Sequence, residues 1–141
     1  MTKLFSRADF LAAKLPSVDV LVPELGEGAL ARIQQLSVQG RISYLERIRR
    51  YREAVNAYED DQDAPVEERK NLQEPEFLDV SLLALVYSIV DENGDLLFTE
   101  ADFPEMNRWA HAAVERMYSE MINLNEIRRS VPAAVEAEKK G

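Results

Sequence analysis

The chain is expected to be mainly α-helical: a small single domain of about four helices with a minor N-terminal β-hairpin and a mobile acidic linker. Three observations predict this. Apolar residues recur at helical spacing in several separate stretches. Val18, Val20 and Val22 alternate with polar or surface positions ahead of Gly26 and Gly28, as a strand entering a turn does. Residues 59–76 lose periodicity, gain charge and hold almost no large apolar side chain.

Taken in order, Ser6 with Asp9 three residues on starts a short first helix with a capping box, and Phe10, Leu11 and Leu15 follow before Pro16 ends it. The valine strand then turns at the two glycines and returns through Leu30, Arg32 and Ile33. From Ser43 the period changes. Tyr44, Ile48, Tyr51, Val55 and Tyr58 recur at steps of four and three, widened by Leu45 and Ala54, which is one stripe of an amphipathic helix. Arg47, Arg49, Arg50 and Arg52 fill much of the rest, making this the basic element of an acidic chain. Arg47 and Arg50 therefore form either a solvated face offsetting nearby carboxylates or a docking site for an acidic partner.

The acidic linker, with Pro65 inside it, cannot bury enough surface to offset an ordering cost of about 1 to 2 kcal/mol per residue for the backbone alone. After Pro75, residues 77–90 read as a helix that is apolar in every direction, hence the central element; a buried strand over residues 82–90 is the competing assignment. An acidic Asn-Gly turn follows, joining it to a second buried segment at Leu96, Leu97 and Phe98. Thr99 and Asp102 form a second capping box, with Pro104 tolerated near a helix start. The long helix beyond carries Met106, Trp109, Ala110, Ala113, Met117, Met121 and Leu124 on one face. Trp109, Met117 and Met121 there form either core or an adaptable surface that grips a varied apolar partner. The domain is drawn at 1–127, with 128–141 as a short helix or a mobile tail.

Composition excludes several classes of function. A net charge of −9 and a pI near 4.7 argue against nucleic acid, whose phosphates need a concentrated positive field. With no cysteine there is no disulfide or thiolate metal site, which suits a reducing cytoplasm. The amino terminus lacks the pattern of a signal peptide, and no apolar run approaches the roughly 20 residues of a membrane span. Nothing supports catalysis or a cofactor. His111 is the sole histidine, and no phosphate-cradling glycine loop or nucleophile elbow occurs.

Asp91, Asn93, Asp95 and Asp102 are spaced like ligands of an EF-hand loop. Leu96, however, stands where that loop needs glycine, and Asp102 is shorter than the glutamate that chelates through both oxygens. The turn is therefore read as structural, with a calcium-binding module as one alternative function. The other is an acidic mimic of nucleic acid built from the carboxylates of residues 59–79.

The order of an apolar helix, then V-D-E-N-G-D-L-L-F-T-E-A-D, then a long helix ending M-I-N-L-N at Leu124 and Asn125, resembles the tail assembly chaperones of long-tailed, siphovirus-type bacteriophages. Val20, Val22, Pro23 and Glu24, then Gly28, Ala31, Arg32 and Leu36, are similar to the opening of that family, and the likeness spans most of residues 18–127. The resemblance implies a non-enzymatic protein of the host bacterial cytoplasm. It would bind the tape measure protein and keep it soluble while tail tube protein is recruited around it. Self-association is left open. The resemblance further implies two product lengths made by ribosomal slippage, the longer adding a domain that recruits tail tube subunits; this chain is the short product if the slip falls at its Lys-Lys pair. Lys139 and Lys140 are then either the slip site or an ordinary solubilising tail.

Overall fold

A computed structural model describes residues 2–126; the expected tail at 128–141, with Lys139 and Lys140, lies outside the described residues. The described chain is mainly α, with five helices and one small antiparallel sheet. The first helix, α1 (Arg7–Ala12), has the expected capping box. Ser6 Oγ accepts from the Asp9 amide at 3.2 Å, and the Ser6 amide donates to Asp9 Oδ2 at 3.0 Å. Those Ser6 hydrogen bonds hold the Asp9 carboxyl below its usual range. None of the residues of α1 is buried.

Strands β1 (Ser17–Leu21) and β2 (Leu30–Gln34) form the hairpin, with Val18 opposite Ile33 and Val20 opposite Ala31. This register turns Val20 and Ile33 into the core. A 3-10 turn (Pro23–Leu25) and Gly28, at φ +73°, close it, and the Val22 amide donates to Ala29 O at 2.9 Å.

Helix α2 (Val38–Asp63) starts earlier than expected, because Ser37 caps it through the Gly40 amide at 2.9 Å. Of its stripe only Tyr44 is fully buried, edge-on to Tyr87 at 6.1 Å, while Ile48 and Tyr51 pack against the core from outside. Desolvation, with Tyr118 nearby, pushes the Tyr44 hydroxyl up to about 12. The acidic stretch also begins inside this helix. Asp61, 7% exposed, accepts from the amides of Lys70 at 2.6 Å and Leu72 at 2.9 Å, which holds its carboxyl below the usual range and pins the returning chain. Beyond Asp63, only a 3-10 turn (Val66–Glu68) interrupts the irregular path as far as Asp79.

The expected helix over residues 77–90 is corrected. Asp79 caps a shorter α3 (Val80–Val86), accepting from the amides of Ser81 and Leu82, and the chain then turns at Ser88 into β3 (Ile89–Val90). Two reasons account for the switch. Ile89 and Val90 are β-branched and abut a turn, and β2 presents a free edge whose backbone groups need partners. Arg32 pairs with Val90 and Ile33 with Ile89, giving the order β1-β2-β3. The all-round apolar character of residues 82–86 is nonetheless explained as expected, since Leu82, Leu83, Ala84, Leu85 and Val86 are all buried.

The long helix is corrected too. Thr99 and Asp102 do form a capping box, but it opens a 3-10 turn (Glu100–Asp102) that leads into a one-turn α4 (Phe103–Met106). The chain then breaks before α5 (His111–Asn125), which Ala110 enters in an extended conformation (ψ 131°). The break lets Trp109 lie edge-on to Phe98, with centroids 5.3 Å apart. Helix α5 packs on α3 and across β1 and β2, burying Ala113, Met117 and Met121. At its end Asn125 Oδ1 accepts from the Leu36 amide at 2.8 Å and Asn125 Nδ2 donates to Met121 O, while Gln35 Nε2 donates to Leu124 O. The L-N pair thus locks α5 to the junction between β2 and α2. No helix among the described residues is long and apolar enough to cross a membrane.

Candidate functional site

Beyond the pairing of β2 with β3, the first residues of β2 diverge from the chain leaving β3. Val90 bridges to Leu96, and the Leu97 amide donates to Ile89 O at 3.1 Å, so residues 96–98 run beside β3 as a rudimentary further strand. Between that run and the hairpin lies an apolar cleft of about 200 Å³. Leu25 and Leu30 line one wall, Leu97, Phe98 and Trp109 the other, and Met117 the floor. Its lips are unusually open for leucine: Leu30 is 63% exposed and Leu97 53%, with Leu21 and Leu96 half exposed close by. The expectation that Leu96 and Leu97 belong to a second buried segment is therefore corrected. Leu97 pairs through its backbone, and no described element covers its side chain.

Ion pairs border the cleft and fix its walls. Arg32 grips Asp19 through Nε at 2.7 Å and Nη2 at 3.0 Å across β1 and β2, which lowers the carboxyl's pKa and raises that of the guanidinium. Arg116 of α5 reaches Glu24 at 2.8 Å and Leu21 O at 3.2 Å, tying the hairpin turn to the helix. The Arg116 hydrogen bonds hold the Glu24 carboxyl down at about 2. With its charges neutralised in pairs and its lining apolar, the cleft suits an aliphatic or aromatic side chain rather than a proton or a metal ion.

The residues singled out from sequence divide accordingly. Met117 is 1% exposed and Met121 0%; both are buried, Met121 away from the cleft and Met117 as its floor. Trp109 is half-buried in the cleft wall. Arg47 and Arg50 do not act together. Arg47 Nε is held at 3.0 Å by Glu100, joining α2 to the 3-10 turn in the wall of a wider groove that also includes Phe77 and Phe103, whereas Arg50 is exposed. Arg49 is paired with Glu46 and Glu53 along its own helix.

The calcium-like residues are occupied by the backbone. Asp91 Oδ1 accepts from the amides of Asn93 at 2.8 Å and Asp95 at 3.0 Å, and Asp102 Oδ2 accepts from the Thr99 amide at 2.9 Å. Gly94, at φ +85°, closes the turn to Asp91 O. In the acidic stretch proposed as a nucleic-acid mimic, Asp61 and Asp79 likewise face backbone amides. His111 is exposed at the start of α5, 3.9 Å from Glu115. Sequence reasoning missed Leu25, Leu30, Leu97 and Phe98 as site residues, although the L-L-F run directly after an acidic turn was a visible signal.

Comparison of this chain with family models, with curated proteins and with solved structures finds no match.

Proposed function

We propose that this chain is a non-enzymatic assembly chaperone of a long-tailed bacteriophage, holding the tape measure protein soluble in the host bacterial cytoplasm while tail tube protein assembles around it. The observation that carries the reading is the open apolar cleft at Trp109. A chaperone must offer apolar surface reversibly, and exposed leucines around a preformed groove do so. One aliphatic or aromatic side chain seated there gains about 1.5 to 3 kcal/mol, a grip weak enough to release when tube subunits compete. The charge of −9 keeps a complex with an aggregation-prone client dispersed. The likeness of residues 18–127 to this chaperone family supplies the identity of the client.

The test is to read the gene's neighbourhood for a tape measure gene and to co-express its product with this chain. The wild-type chain should bring the client into the soluble fraction and co-purify with it. A Leu30→Asp, Leu97→Asp double variant should stay folded, because both side chains are exposed, and should lose the client. A folded double variant that still solubilises the client would refute the cleft as its site. A neighbourhood lacking both a tape measure gene and a tail tube gene would refute the assignment itself.

A further inference from the structure

Residues 3–15 make an arm whose apolar side chains no described element covers. Its helix α1 is only six residues long, far below the length that holds alone in water, yet it has a complete capping box and an edge-to-face Phe5–Phe10 pair at 5.4 Å. No residue of α1 is buried, and Leu4, Phe5, Phe10, Leu11 and Leu15 are all exposed. Such a run is unusual on a soluble surface unless something sits on it.

We propose that the arm of one copy docks into the Trp109 cleft of a second copy, so that the protein exchanges arms in a two-fold dimer and shields its own apolar cleft. Charge favours this occupant. The arm carries Lys3, Arg7 and Lys14 against Asp9 alone, within a chain of net charge −9. A second hollow adjoins the cleft, sharing Leu30, Arg32 and Val90 with it and adding the carboxylates of Asp91 and Glu92. A basic apolar segment therefore meets an acidic apolar site. The shapes also match, since a cleft of about 200 Å³ takes one aromatic or leucyl side chain of the kind that Phe10 and Leu11 present.

Position makes the exchange reciprocal. The arm root lies beside the same acidic turn, where Lys14 and Leu15 share a hollow with Glu92, Asn93 and Gly94. A two-fold axis near this turn carries each arm to the other copy's cleft, the self-complementary arrangement that closed dimers use. With one side chain of each arm in the cleft and the others laid on the exposed Leu21, Leu30, Leu96 and Leu97 around it, two arms remove on the order of 1,000 Å² from water, the scale of a specific interface. The inference uses the cleft assigned above to the client, but its test needs no client. Failure of either reading therefore leaves the other standing.

Sedimentation of the full chain over a concentration series tests it, with fluorescence of Trp109, the sole tryptophan, as a reporter inside the cleft. The wild type should form a dimer whose Trp109 emission shifts to the red on dilution. Phe10→Asp with Leu11→Asp should weaken dimerisation by about tenfold or more, abolish the dilution shift and leave the far-ultraviolet circular dichroism of the folded chain unchanged. Leu30→Asp should do the same from the other side of the contact. Mixing these two monomeric variants should restore a heterodimer through the one intact arm and cleft. A monomeric wild type, a dimer indifferent to the arm substitutions, or an arm-dependent Trp109 shift without dimerisation would each overturn the proposal, the last by placing the arm on its own chain.

Discussion

Replacing Met121 by alanine should cost more stability than replacing Met117, although the two are the same residue one helical turn apart on α5. Both are buried, and deleting a buried methionine side chain to alanine costs about 2 to 5 kcal/mol, the spread depending on how much cavity is left. Met121 is 0% exposed and takes no part in lining the cleft, so its void is closed and its neighbours lose their contacts outright. Met117 is the floor of the 200 Å³ cleft, so its removal deepens a hollow already open to water, which can enter. We expect about 4 kcal/mol for Met121→Ala and about 2.5 kcal/mol for Met117→Ala. At about 4 °C per kcal/mol for a chain of this size, the melting points should fall by about 16 and 10 °C. Urea denaturation followed by far-ultraviolet circular dichroism measures both, with an unchanged slope guarding against a shifted unfolded state. Losses below about 1 kcal/mol at both positions would refute their burial, and a larger loss at Met117 would refute the cleft geometry.

Other expectations follow from single contacts. Millimolar calcium should leave the melting point unchanged, because Asp91 and Asp102 spend oxygens on backbone amides; a ligand at 100 times its dissociation constant would add about 2.7 kcal/mol, so an upward shift would be plain. Glu24 titrates near 2 when folded, below its ordinary 4.5, so its pairing with Arg116 stabilises fully above the ordinary value and is lost as pH falls through the folded one. The stability difference between wild type and Glu24→Gln should thus vanish between about pH 4.5 and 2, and a constant difference down to pH 2 would contradict the pairing. Asp61→Asn should accelerate hydrogen exchange at the Lys70 and Leu72 amides while leaving α5 protected, since its carboxylate anchors only that return.

Local chemistry made much of this fold legible. Capping boxes depend on residues three apart, so Ser6 with Asp9 and Thr99 with Asp102 were readable without tertiary information. The hairpin was equally plain, because alternating valines and two glycines leave few other conformations. What depended on distant partners was not legible. Residues 82–90 are apolar throughout and fit a helix or a strand; only the open edge of β2, far away in sequence, draws Ile89 and Val90 into the sheet. The break at residues 107–110 similarly answers to Phe98, against which Trp109 packs. Tertiary anchoring also placed Asp61, whose carboxylate looked like one more solvated charge until the amides of residues 70 and 72 came round to it.

The binding site was half visible. Trp109 was found because a lone tryptophan beside methionines is conspicuous, but its helical stripe pointed to Met117 and Met121, which the core absorbs. The leucines that complete the cleft lie in a hairpin and a rudimentary strand, and no periodicity in one segment could bring Leu30 to Leu97. Arg47 and Arg50 shared a helix face in the sequence, yet Glu100 claims only the first.

Hydrogen exchange on the purified complex with the tape measure protein reads the client's footprint on the cleft without altering any residue. A client seated in the cleft should slow exchange over residues 25–31 and 96–98 and shift Trp109 emission to the blue as water leaves its face. Protection confined to the Arg50 and Arg52 surface of α2, with the cleft amides and Trp109 emission unchanged, would contradict the cleft as the client's site.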